Sequence, residues 1–382
     1  IGYGDNSFTD VDDLRIIINK GSFLNLELTK SQIDIKFKGN KKFVQSSIHT
    51  KGNINFQEMQ KITSLLGVKK NNFEDINLTS DLITNIEFNI DNKFKVGNMS
   101  YIVQGDISKL QIKVAERKEI KEFMPSFSSE ITFKNTKINF KALNGISGDH
   151  SLKLKGEVKF GDEFEKAEII QLYNKKNKKY SIRGSSTLFG SSISISKLNY
   201  KKEKNKNAYL DFNTKFVIDK YFLINHLNYT DDQSEIILNK IKLNKNLEVS
   251  DLESLGIKTY VNKVKNNDFS IKKLDQVVVS GEIFDAEPLL KSLYKKSKRK
   301  TFAKEFNGDL KINFDKAITG TDDNIYNFGM IALINKGSYV KLSSKGTFSD
   351  NEIIEMSIYQ VDKDKKTLQV ISDRARPFIK NF

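Results

Sequence analysis

Apolar and polar residues alternate one by one through much of this chain, and that period of two constrains its fold more than any other feature. In the stretch from Ser151 to Gly161, Leu152, Leu154, Val158 and Phe160 point one way while Lys153, Lys155, Glu157 and Lys159 point the other. Ile33, Ile35 and Phe37 alternate with Asp34 and Lys36, Ile86, Phe88 and Ile90 with Glu87 and Asn89, and Leu310, Ile312 and Phe314 with Lys311 and Asn313. Successive side chains of a strand project to opposite faces, so this pattern describes strands with one dry and one wet side. Antiparallel sheets tolerate that division.

A strand–glycine–strand unit recurs at Gly52, Gly105, Gly156, Gly184, Gly281 and Gly346, each preceded by an alternating run. Glycine inside a strand marks a bulge or bend. Polar turn signals fall between the runs, at Asp91-Asn92, 174–178, 201–207, Asp231-Asp232 and 362–366. The fold class expected is therefore all-β and mainly antiparallel: a long curved meander whose dry face forms an apolar groove. Three short helices interrupt it. One is expected near 57–66, with Met59, Ile62, Leu65 and Leu66 at helical spacing. A second runs near 286–298, with Asp285 as N-cap, Pro288 in the first turn, Leu289, Leu290 and Leu293 as its buried stripe, and a basic end at Lys295, Lys296, Lys298, Arg299 and Lys300. A third starts at Asp373, and residues 118–127 read as a connector.

Composition limits the chemistry. The 382 residues carry a net charge of +15 and no cysteine, which removes disulfides, thiolate catalysis and cysteine zinc sites. The positive charge is almost all lysine, with arginine only at 15, 117, 183, 299, 374 and 376. Specific phosphate and base readout leans on the arginine fork, and the aromatic residues fall on the dry side of the alternation, opposite the lysines. Nucleic acid is therefore not expected as a partner. His49, His150 and His226 are far apart and lack ligand partners at metal spacing, so no metal and no other cofactor is expected. Ser194–Lys197 and Ser270–Lys273 match the Ser-x-x-Lys pattern without the partner motifs of serine acylases. Asp12-Asp13, Asp231-Asp232 and Asp322-Asp323 sit in turns, where aspartate bonds its own backbone. No phosphate loop or dinucleotide fingerprint appears. The expectation is a protein that is not an enzyme. No apolar run approaches the roughly 18 residues of a membrane helix. The chain opens on Ile1 and closes on a helix barely begun, which reads as a piece of a longer protein.

Over residues 277–382 an ordered set of motifs carries a resemblance. Ser280-Gly281-x-x-x-Asp285-Ala286-x-x-Leu289-Leu290 leads from a strand into a helix, Gly308-x-Leu310-x-Ile312-x-Phe314-Asp315 follows as a strand, and Ser372-Asp373-x-Ala375 opens a last helix. The set resembles the AsmA-like family, in its YhdP/TamB-like branch of large α-proteobacterial envelope proteins. Arg374, Arg376 and Pro377 depart from that pattern, standing where the family has Asp, Gly and an aliphatic residue. The first two thirds match in style alone. The resemblance implies a protein anchored in the inner membrane by a segment outside this chain, crossing the periplasm towards the outer membrane, and carrying phospholipid acyl chains in an apolar β-groove.

Three stretches are expected: 1–120, the first part of the sheet; 121–276, a central meander; and 277–382, the family-like segment. The groove residues expected are Leu152, Leu154, Val158, Phe160, Ile182, Leu310, Ile312 and Phe314. Two other readings fit the same alternation: a structural or adhesive β-scaffold with a sealed core, and a polyanion-binding module using the lysine face.

Overall fold

The computed structural model describes residues 13–39, 41–65, 75–116, 118–145, 148–292, 304, 306–349, 351–362 and 365–379. The chain divides into two compact units, Ile1–Arg117 with Ser126–Gly184, and Lys118–Pro125 with Ser185–Phe382.

The first unit is a meander of β1 (Asp13–Phe23), β2 (Leu26–Lys38), β3 (Lys41–Asn55), β4 (Asp75–Ile90), β5 (Val96–Lys113), β6 (Glu130–Leu143), β7 (His150–Lys159) and β8 (Glu165–Asn174). Each strand from β1 to β8 pairs antiparallel with the next. Helix α1 (Phe56–Leu65) follows β3 directly. Its start is fixed by a reciprocal pair: Glu58 N–H donates to Asn55 Oδ1 at 3.0 Å, and Asn55 N–H donates to Glu58 Oε2 at 3.0 Å. That exchange satisfies two donors the helix end leaves open. The helix lies one residue from the expected start, and Leu66 is outside the described residues. The connector expected at 118–127 contains a six-residue helix, α2 (Lys118–Phe123), which belongs to the second unit. The chain leaves the first unit within β9 (Lys179–Thr187).

The second unit begins with a small hairpin, β10 (Ile193–Ile195) and β11 (Tyr200–Lys202), joined by a 3-10 turn at Ser196–Leu198. Its sheet runs through β12 (Ala208–Val217), β13 (Tyr221–Asp231), β14 (Glu235–Asn244), β16 (Ser254–Val261), β17 (Val264–Lys273) and β18 (Val277–Asp285), all antiparallel, with the short β15 (Val249–Asp251) beside β14. Helix α3 (Glu287–Ser292) comes next, then β19 (Gly308–Ile318), β20 (Ile325–Asn335), β21 (Ser338–Thr347), β22 (Ile353–Asp362) and β23 (Lys365–Ser372), again antiparallel to one another.

The fold is all-β and mainly antiparallel, with one departure from a pure meander. Strands β18 and β19 pair in parallel, Val279 facing Ile312. Parallel neighbours need a crossover of about a dozen residues or more, and the segment holding α3 supplies it. Asp285 caps α3 as expected, accepting from Glu287 N–H at 3.2 Å. Residues 293–298 of the expected helix, Leu293 and the basic end with them, lie outside the described residues.

The last helix starts later than expected, as α4 (Arg376–Ile379). The sheet claims the residues before it: Ser372 pairs with Ile354, and Asp373 N–H donates to Ile353 O at 3.0 Å while its carboxylate accepts from Ile353 N–H at 2.6 Å. The three expected stretches also do not coincide with the two units. The β17–β18 hairpin spans position 276 and ties both sides together, and α2 packs against β10 rather than marking a break at 120.

The strand glycines sit where backbones crowd. At Gly52 (φ +154°) and Gly105 (φ +148°) an added Cβ would lie 2.3 and 2.2 Å from the carbonyl oxygens of Asn25 and Asp81. Gly156 and Gly281 face register shifts in β6 and β17. Gly156 and Gly281 are bulge positions of the kind the repeat announced, whereas Gly52 and Gly105 lie in regular register at close backbone approaches.

Candidate apolar furrow

The registers place the apolar side chains of the first unit in rows that cross the strands. One row runs through Leu28, Thr50, Leu82, Gly105, Ile138, Leu154 and Ile169, from β2 to β8. Two residues further along each strand lies a second, through Ile48, Thr84, Val103, Phe140 and Leu152. Every residue of these two central rows is half-buried and none is buried. On one flank Tyr101 and Ala142 are buried; on the other Ile54, Leu78, Ile107 and Val158 are. The opposite face carries Lys51, Asp81, Asp106, Lys137, Lys155 and Glu168 in register.

That burial order decides what kind of face this is. Two sheets packed face to face bury their central rows most deeply, because the partner layer fills the middle. Here the middle is more open than the margins. The rows form an apolar strip, the candidate furrow and its floor, crossing seven strands at about 4.8 Å each.

The second unit repeats the arrangement. A row passes through Phe212, Leu227, Leu238, Leu255 and Ile271 on β12 to β17, and continues through Val279, Ile312, Met330, Ser344, Met356 and Val370 on β18 to β23. Val279 and Ser344 are buried, Val370 is exposed, and the others are half-buried. One neighbouring row is buried at Tyr229, Ile236, Ile257, Phe269 and Phe314; on the other side Val277, Leu310 and Ala332 are buried, as is Phe306.

The β10–β11 hairpin and α3 close one margin of this second furrow through polar ties. Tyr200 stacks edge-on against Tyr229 with ring centres 6.0 Å apart, their hydroxyls are 2.6 Å apart, and Tyr200 donates to Asp231. Asn266 and Asn267 donate to Leu198 O at 3.0 and 2.8 Å, and Asn266 and Asn199 donate to the Asp285 carboxylate at 3.2 and 3.0 Å. Burial and these neighbours push the Tyr200 phenol far above its ordinary range, and burial does the same to Tyr229.

Of the expected groove residues, Leu152 and Leu154 lie on the first floor, and Val158 lies in its buried flank at 4 % exposure. Phe160, just past β7, and Ile182 on β9 are half-buried. Ile312 lies on the second floor, while Leu310 and Phe314, each 5 % exposed, lie in the buried rows on either side of it. The floor residues Leu82, Ile138, Phe140, Leu238 and Met330 escaped the sequence reading. Their alternation was visible, but their place in a row depends on bulge positions.

Aromatic rings run from the floor of the first furrow onto its flank. Tyr101, Phe140, His150, Tyr173 and Tyr180 follow one another with ring centres 4.6 to 6.0 Å apart. Burial raises the Tyr101 phenol to about 12 and raises Tyr180 as well. His150 is thus part of a stack.

His49 stands on the wet face. Its Nε2 meets Asp81 Oδ1 at 2.6 Å and its Nδ1 meets Thr29 Oγ1 at 3.1 Å. A hydroxyl–imidazole–carboxylate line invites comparison with a nucleophilic triad, yet it lies flat across three paired strands and works as a cross-strand polar ladder. His226 bonds Asn239 at 2.9 Å in the same manner. Asp231 bonds the backbone of its own turn, at Gln233 and Ser234, as aspartate in turns does. Among the described residues no group of three or more His, Asp and Glu is placed to hold a metal ion, and no helix is long and apolar enough to cross a membrane.

The geometry defines a class: β-sheet units with one charged face and one apolar face, the latter mostly half-buried along its central row. No family model, no curated protein and no solved structure matches the chain.

Proposed function

We propose that this chain carries lipid acyl chains along its apolar furrows. One observation bears most of the weight: most residues of the central apolar rows are half-buried, while several residues in the rows beside them are fully buried. A floor about as apolar as hydrocarbon, left open to water, costs roughly 25 cal/mol for each Å² it exposes. An acyl chain lying across the strands recovers that cost without any hydrogen bond, since the floor offers few polar atoms. The occupant is held by area rather than by specific contacts, so it slides. No covalent step is involved.

The resemblance of residues 277–382 to AsmA-like envelope proteins supports the same reading, and with it a place in the periplasm and phospholipid as the cargo. The lysine-rich reverse face stays wet and keeps such a protein soluble.

The test is native mass spectrometry and lipid extraction of the purified chain beside Leu154→Asp and Ile312→Asp. Phospholipid that accompanies the wild type and is lost from variants with unchanged circular dichroism supports the proposal. A stable wild type free of lipid, which also takes up none from vesicles, overturns it and leaves the sealed scaffold.

A further inference from the structure

A second concavity lies in the second unit, with none of the furrow-floor residues in its wall. Three turns build it: residues 203–207 after β11, 231–234 between β13 and β14, and 260–263 between β16 and β17. Its volume is about 870 Å³, within the range of small-molecule sites. Asn205, Asn262 and Lys263 hold left-handed backbone there, which turns their side chains and amides around a tight corner.

The charges around it are unequally committed. Asp231 is spent inside the wall: its Oδ1 accepts from Gln233 and Ser234 N–H at 2.9 and 2.6 Å, and its Oδ2 accepts from Tyr200. Glu203 is matched by Lys201 at 2.7 Å, and Lys201 and Lys206 both hold its carboxyl below the usual range. Lys202 lies deep in the wall at 2 % exposure, its ammonium donating to the carbonyls of Ser191, Glu203 and Phe189 at 2.6, 3.2 and 3.3 Å. At the rim, Lys206 and Lys263 are exposed and face Asp232 alone among carboxylates that no cation or turn has taken up. The balance left over is positive. The amides of Asn205, Asn207, Asn262 and Gln233 offer both donors and acceptors.

We propose that this cleft binds the phosphate ester of a small polyol. The two rim lysines meet the phosphate as point charges, and the amides meet the hydroxyls; a neutral polyol offers only the second contact and an apolar ligand neither. Such an ester reaches the cleft either free in solution or as the head group of a lipid; the second source rests on the lipid-carrying reading, the first does not.

Titration calorimetry separates them, using glycerol 3-phosphate, neutral glycerol, and a soluble short-chain phosphatidylglycerol. The proteins are wild type, the double variant Lys206→Ala/Lys263→Ala, and the furrow variant Leu238→Asp. Glycerol 3-phosphate binding that weakens tenfold or more in the lysine variant, with glycerol silent, establishes a site for the free ester. Lysine-dependent binding of the short-chain lipid alone establishes a head-group site. No binding of either, or binding the lysine variant retains, overturns the proposal. Leu238→Asp leaves glycerol 3-phosphate binding unchanged, so a failure of the furrow and a failure of the cleft are read apart.

Discussion

The backbone of Gly105 lies against the carbonyl of Asp81 so closely that a Cβ on Gly105 would stand 2.2 Å from that oxygen. Its φ of +148° adds a second demand that only glycine meets without strain. Gly105→Ala is expected to lower stability by about 2–3 kcal/mol, the strain of a forbidden backbone region plus displacement of β4. Gly145 gives the control, because its φ is +79° but open space surrounds it. Gly145→Ala should cost about 1 kcal/mol. Urea midpoints of the two variants decide; equal losses would show that crowding at Gly105 contributes nothing.

The Tyr200 hydroxyl joins Tyr229 and Asp231 in the wall that closes the second furrow. Tyr200→Phe removes that hydroxyl and keeps the ring. The loss should be about 1–3 kcal/mol, the cost of leaving buried partners unsatisfied. Thermal unfolding of the variant measures it, and a change under 0.5 kcal/mol, roughly the scatter of surface substitutions, would mean the network is idle.

Burial holds the Tyr101 phenol at about 12 in the folded protein, whereas an unfolded tyrosine ionises near 10. A raised phenol contributes stability that is complete below about pH 10 and is lost as pH climbs from there towards 12. Urea unfolding across pH 9 to 12 should therefore show a falling stability that is shallower in Tyr101→Phe. Parallel curves would contradict it.

At acid pH the sign reverses. The hydrogen bond from His49, helped by its charge and by Lys51, holds the Asp81 carboxyl below its ordinary range. That contribution is present above the unfolded value near 4 and is lost as pH falls through the folded one. Asp81→Asn should flatten the acid limb of the stability profile while leaving the phenol limb unchanged.

Arg374 gathers the end of the second unit. It pairs with Asp323 at 2.5 Å and with Glu352, and lies over the Phe348 ring at 5.7 Å. Asp323 is only 10 % exposed on its side chain. Arg374→Ala leaves that carboxylate without its closest cation and should cost about 1–3 kcal/mol. Arg376, more exposed and 3.5 to 3.8 Å from its partners, should cost less than 0.5 kcal/mol on the scale of surface pairs. Melting temperatures of both variants test the ranking.

Alternation made the strands readable, because each strand such as Ser151–Lys159 or Asp309–Phe314 declares its own dry side. The Asn55-x-x-Glu58 box was equally readable in principle and places α1 one residue earlier than its apolar spacing does. What one strand cannot declare is its partner. Nothing local in Val277–Ile283 or Leu310–Phe314 says that they run side by side in the same direction; that follows from the crossover between them. Row membership is non-local for the same reason. Leu310 and Ile312 both read as furrow residues, yet the first is 5 % exposed and the second half-buried, a difference no local pattern announces. The cleft was invisible because its three turns are separated by some thirty residues each and share no motif.

The parallel pair of β18 and β19 acts on the second unit as a dislocation acts on a lattice. In a pure run of hairpins, strands of odd and even rank point in fixed opposite directions, and every turn's margin follows from counting. One parallel step breaks that alternation between neighbours: β18 and β19 run the same way, and the turns from β19 onward fall on the margin opposite to the one strict alternation from β18 would give. A shortened crossover could not span the strand, and β19 could then join β18 only by reversing. With that reversal its register, and the order in which Leu310, Ile312 and Phe314 meet their neighbours, would run backwards through the remaining four strands.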